Sequence, residues 1–108
     1  MIVKHYPNSF RETDLEKELH SADVQQLVVC GAMSHMCIDA TVRAAADYGF
    51  DCLVVQDACA TRELEFDGRK ISADDVHRSF MAALGAAYAR VLPLGQFHDL
   101  AAEWEIGA

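Results

Sequence analysis

The sequence predicts an α/β protein built on a parallel sheet. Three apolar runs carry this reading: QLVVC at 26–30, CLVV at 52–55 and RVLPL at 90–94. They are continuous rather than alternating, as strands covered on both faces are. Helical spacing fills the stretches between them, and strand alternating with helix implies parallel pairing through right-handed crossovers.

Each element has its own signals. Thr13 with Glu16 starts a short helix over about 13–21, and the 26–30 strand follows. After Cys37, apolar Ile38, Val42, Ala45 and Ala46 recur at helical spacing, and Gly49 supplies a C-terminal stop. The 52–55 strand leads into DACATRELEFDGRKIS at 57–72, expected as a long irregular loop. Loops that long are often functional, and this one leaves the carboxyl end of a strand, where open α/β sheets place their sites. Ser72 with Asp75 forms a capping pair for a helix whose stripe is Val76, Phe80, Leu84 and Ala87. The 90–94 strand is followed by a last amphipathic stretch, with Phe97, Leu100, Ala101 and Trp104 on one face. Phe97 and Trp104 are expected to face the core or a neighbouring subunit.

Composition narrows the function. A chain of 108 residues is one domain at most, and 52% hydrophobic content is enough for a real core. No apolar run reaches membrane-spanning length, and the first ten residues lack the layout of a signal peptide. The net charge of −8 comes from 17 acids against 9 bases, and the bases do not cluster. Nucleic acid and anionic membrane are therefore not expected as partners. Four cysteines stand at 30, 37, 52 and 59, without a CxxC pair. Cys30 and Cys52 fall inside apolar strands and are expected as small buried hydrophobes. A reduced, cytoplasmic protein fits this usage better than a disulfide framework.

The stretch VVCGAMSHMCID at 28–39 concentrates the chemistry. Cys37 follows a strand and a tight turn, at the predicted amino end of a helix. Unpaired N–H groups and a partial positive charge lie there. Both favour a thiolate nucleophile and a developing oxyanion, which suits acyl transfer. A packed cysteine at a strand–helix junction satisfies the same pattern, and position alone leaves both readings open.

The residues around Cys37 resemble the isochorismatase-like cysteine hydrolases, the superfamily that includes nicotinamidases and carbamoylsarcosine amidases. The shared pattern is an apolar strand, G-x-x-[ST]-x-x-C, a helix of type V-x-x-T-x-R-x-A, a glycine stop and a strand ending in Asp-Ala. Here these are Gly31, Ser34 and Cys37; Ile38, Thr41, Arg43 and Ala45; Gly49; and Asp57 with Ala58. Upstream, Lys4, Ser9, Phe10, Thr13 and Leu15 resemble K-x-x-x-S-x-F-x-x-T-x-L, with Ser9 one place past the motif's serine. The resemblance runs from residue 2 to about 94.

The resemblance implies a three-layer α/β/α, Rossmann-like fold with sheet order 3-2-1-4-5-6. It implies Cys37 as nucleophile and Lys4 as the cation that steadies its charge, on a strand at Ile2–Lys4. It also implies a cis peptide at Ala32–Met33 and an oxyanion hole from the Met33 and Cys37 amides. His35 and Ser34 would line the substrate. The implied reaction is hydrolysis of a small amide (C–N) or vinyl-ether bond through a thioester-type intermediate, with no cofactor. The family's general-base aspartate lies in a segment of type L-x-x-x-D-x-Q, which does not occur in this sequence, and metal ligands of nicotinamidases would lie in the same part. Residues 1–108 are thus expected as one partial domain, lacking the N-terminal strands and impaired as a catalyst. The unpaired strand edges predict a homo-oligomer or association with a separate N-terminal segment. The rival reading is an incompetent remnant that serves assembly, and a third is a zinc module using Cys37, Cys59 and His35. Asp39 is expected to favour the first helical turn and Asp57 to cap the following loop. His5 is expected at the surface, and His77 and Cys59 as packed residues. Arg62, Glu63 and Arg69 lie on the 57–72 loop, as substrate contacts or as charges that serve solubility.

Overall fold

The computed structural model describes residues 1–107, with side chains described as far as Glu103. The order is α1 (Leu15–Ser21), β1 (Gln26–Ala32), a π-helical turn (Ser34–Ile38), α2 (Asp39–Asp47), β2 (Asp51–Ala60), β3 (Leu64–Phe66), β4 (Arg69–Ile71), α3 (Ala73–Ala87), β5 (Ala89–Leu92) and α4 (Leu94–Gly107). The main sheet is parallel, in the order β1-β2-β5. No helix among the described residues is long and apolar enough to cross a membrane.

The core lies between this sheet and its helices. Ile38, Val42 and Ala45 meet Cys52 and Val54, with Met81 and Leu84 of α3 and Phe10 of the N-terminal segment. Strand alternation sends Leu53 and Val55 to the opposite face, where both are buried. Helix α4 also packs against β2, and its first amide, Leu94 N–H, donates to Asp57 Oδ2 at 3.0 Å. Asp57 thus caps this helix rather than the loop that follows it. The α3 stripe is rotated from the expected one: Val76, Met81 and Leu84 are buried, Phe80 is half-buried and Ala87 is exposed. Trp104 lies outside the described side chains.

The ends of two helices follow their sequence signals. Ser72 Oγ accepts from Asp75 N–H at 3.1 Å, closing the first turn of α3. At the end of α2, Gly49 adopts φ +96°. Its N–H donates to Ala46 O, and Phe50 N–H reaches back to Ala45 O. This paired closure needs a left-handed residue, which glycine supplies without a Cβ penalty. Helix α1 begins at Leu15, with Thr13 Oγ1 accepting from Leu15 N–H and donating to Ser9 O.

Three further expectations are corrected. The 57–72 segment is not an irregular loop. Strand β2 continues to Ala60, its pairing with β1 resuming at Gly31↔Cys59 and Ala32↔Ala60 after a break. An antiparallel hairpin then pairs Leu64 with Ile71 and Phe66 with Arg69. Its two-residue turn, Asp67–Gly68, has positive φ at both positions, which matches the twist of the strands. Second, β1 is covered on one face only. Val28 is 43% exposed and Cys30 is exposed rather than buried. Third, Ile2–Lys4 forms no strand, since it has no ladder partner among the described residues. Ser34, expected to line the substrate, is fully buried.

Candidate active site

One residue before the end of β1, Gly31 adopts φ +132°, a left-handed conformation that glycine takes without a Cβ penalty. The Ala32–Met33 peptide is cis. Met33 O then accepts from both Met36 N–H, at 3.0 Å, and Ile38 N–H, at 3.2 Å. The second bond spans five residues, which is why the helix opens with a π turn. Cys37 sits in that turn, half-exposed, just before α2.

Lys4 reaches the same point from the other end of the chain. Its Nζ donates to Cys37 Sγ at 3.3 Å. The ammonium also donates to Tyr6 O at 2.9 Å and Pro7 O at 3.5 Å, so its own backbone helps to aim it. Thr41 on α2 fixes that backbone. Its Oγ1 accepts from Ser9 N–H at 3.0 Å and lies 3.2 Å from Pro7 O and 3.0 Å from Ser9 Oγ, both within donating reach. Buried Phe10 pins the next residue, with its ring edge-on to Tyr48 at 5.2 Å and stacked on Phe50 at 6.2 Å.

Two histidines stand beside the turn. His35 Nδ1 lies 2.7 Å from Thr61 Oγ1, and its ring meets Phe80 edge-on. His77, expected only to pack, instead has Nδ1 2.7 Å from Ser34 Oγ, which in turn donates to Ala60 O at 3.4 Å. Sequence gave no sign of this bond, because 43 residues separate its ends. His5 is exposed.

The nearby acids are engaged elsewhere. Asp39 pairs with Arg43 at 2.8 Å, and this hydrogen bond chiefly holds the guanidinium above its ordinary value. Asp57 caps α4. Cys52 and Cys59 are ordinary structural thiols, each pushed up by burial first; at Cys59 the Gly31 backbone partly opposes it. The zinc arrangement is not formed, because among the described residues no three His, Cys, Asp or Glu side chains gather to hold a metal. Arg62, Glu63 and Arg69 are exposed on or beside the hairpin, with Glu63 3.8 Å from Lys70. Among the described residues, one open depression of about 630 Å³ lies at Met1–Val3 and Glu12–Asp14 and another of about 240 Å³ at Gln56, His77, Arg78 and Met81. Cys37 lines neither of them.

Comparison with known proteins agrees with this arrangement of elements. The sequence profile of the isochorismatase domain matches residues 1–87. An uncharacterized isochorismatase family protein of Bacillus subtilis, YddQ, is 56% identical over 91 residues, covering 84% of this chain and 51% of its own. A streptothricin hydrolase of Streptomyces noursei is 30% identical over 107 residues, 99% of this chain and 32% of that protein. Among solved structures, an isochorismatase from Pseudomonas putida superposes with a TM-score of 0.85 at 41% identity, over 88% of this chain and 49% of that one. The chain belongs to the isochorismatase family. It spans about half the length of YddQ and of the P. putida structure.

Proposed function

We propose that this chain carries the nucleophile half of a cysteine hydrolase acting on a small amide or vinyl-ether bond. The observation that carries the reading is the 3.3 Å contact between Lys4 Nζ and Cys37 Sγ. The ammonium steadies negative charge as it develops on the sulfur, through a charge-assisted hydrogen bond. For an amide, Sγ attacks the carbonyl carbon and the carbonyl electrons move onto oxygen. The amides of Met33 and Cys37 receive that oxyanion. The C–N bond then breaks, the nitrogen leaves with a proton, and water hydrolyses the thioester to acid and free thiol. The S. noursei relative, a hydrolase by name, supports the reaction class.

The proton for the leaving nitrogen needs a general acid–base. Asp39 and Asp57 hold other partners, so neither is free for this role. These residues alone therefore turn over small amides slowly, short of a complete site by roughly 10²–10⁴-fold. An activated ester removes the need to protonate the leaving group. Incubation with p-nitrophenyl acetate should leave an acetyl group on Cys37, found by peptide mass mapping and lost in Cys37→Ala. Acetylation spread evenly over Cys30 and Cys37 would overturn the proposal. Ordinary turnover of nicotinamide by these 108 residues would overturn the impairment.

A further inference from the structure

We propose that His77 is a positioning residue for the nucleophile turn, acting through Ser34; this rests on the reading of Cys37 as nucleophile. Ser34 is the first residue of the π turn and lies three positions before Cys37. It is fully buried, and a buried hydroxyl without partners would be costly. Its Oγ lies within donating reach of Ala60 O, at 3.4 Å. It also lies 2.7 Å from His77 Nδ1, so the buried hydroxyl is shared between the histidine ring and the Ala60 carbonyl. A chain results that joins His77 Nδ1, Ser34 Oγ and Ala60 O.

This chain ties together three elements that meet at the turn. His77 stands on α3. Ala60 is the last residue of β2 and pairs in register with Ala32, the residue before the cis bond. Ser34 follows that bond by one residue. The short strong contact to His77 thus fixes where the turn begins, and the turn fixes where Cys37 Sγ and the Met33 and Cys37 amides point. His35, bonded to Thr61 on the other side, does not share this chain. His77 is half-buried, and its other edge borders the depression with Gln56, Arg78 and Met81. Among the described residues no hydrogen bond joins it to Cys37, and it acts through Ser34.

The test compares His77→Ala with His77→Asn, whose amide can replace Nδ1 as donor or acceptor. The readout is brief iodoacetamide labelling of the whole chain, with exposed Cys30 as internal reference and buried Cys52 as a gauge of folding. In His77→Ala the Cys37 to Cys30 labelling ratio should fall about 5- to 10-fold, the equivalent of one lost hydrogen bond to a buried group. His77→Asn should restore most of it, with Cys52 protected in both. Ser34→Ala should match His77→Ala, which keeps the comparison open if one variant folds poorly. Three results overturn the proposal: an unchanged ratio in His77→Ala, an equal loss in His77→Asn, or Cys52 uncovered along with every loss. If instead the unsubstituted chain shows no preference for Cys37, the nucleophile reading itself fails.

Discussion

Lys4 Nζ and Cys37 Sγ lie 3.3 Å apart across 33 residues of sequence. No strand pairing holds Lys4 there, since Ile2–Lys4 is unpaired among the described residues. The work falls to Thr41, which binds Ser9 and Pro7 from the helix that also carries the end of the Cys37 turn.

Thr41→Val keeps the shape and removes that clamp. Ser9 N–H and Pro7 O lose their partner, which should cost about 1–3 kcal/mol of stability. Cys37 should also label more slowly, because Lys4 is no longer aimed. Denaturant unfolding and timed alkylation measure the two effects. A loss of stability with Cys37 labelling unchanged would show that Thr41 does not position Lys4.

Alkaline pH should weaken the fold through its structural thiols. Burial pushes Cys52 and Cys59 above their ordinary value of 9.0, so the folded chain holds these protons more tightly than the unfolded chain. Stability is therefore whole below about pH 9 and falls as pH rises through that value toward the folded pKa values. Thermal unfolding between pH 7 and 11 should show a shallower decline in Cys59→Ala than in the unsubstituted chain. Parallel declines would remove Cys59 from the account.

Strand β1 lies at an edge of the sheet, with Val28 and Cys30 exposed. Unpaired strand edges invite a further strand. We propose that the chain associates with itself or with a separate segment, giving a mass above 11.9 kDa by light scattering after size exclusion. Val28→Lys should shift it toward monomer. A monodisperse monomer with a cooperative thermal transition would count against this.

Much of the layout was legible because it is local. The apolar runs, the Gly49 stop and the Ser72 cap each express a preference of a few neighbouring residues, and tertiary packing had no reason to override them. The hairpin was legible and missed: Asp67–Gly68 is a two-residue turn signal between Leu64, Phe66 and Ile71. Cys30 misled because an apolar run does not say how many faces are covered, and β1 is covered on one. The site divides the same way. Gly31 and Cys37 announce a strand, turn and nucleophile position, whereas Lys4 was found only through resemblance. The His77–Ser34 bond joins residues whose meeting depends on how α3 crosses the end of the sheet, which no spacing encodes.

The central claim is that Lys4 and Cys37 form the reactive pair, and competitive alkylation tests it most directly. Brief iodoacetamide treatment of the native chain, followed by peptide mapping, should label Cys37 faster than exposed Cys30, with Cys59 slower and buried Cys52 last. Lys4→Met should bring Cys37 down to the rate of Cys30 while leaving Cys30 unchanged. Equal rates for Cys37 and Cys30 in the native chain, or a Cys37 rate indifferent to Lys4→Met, would contradict the account.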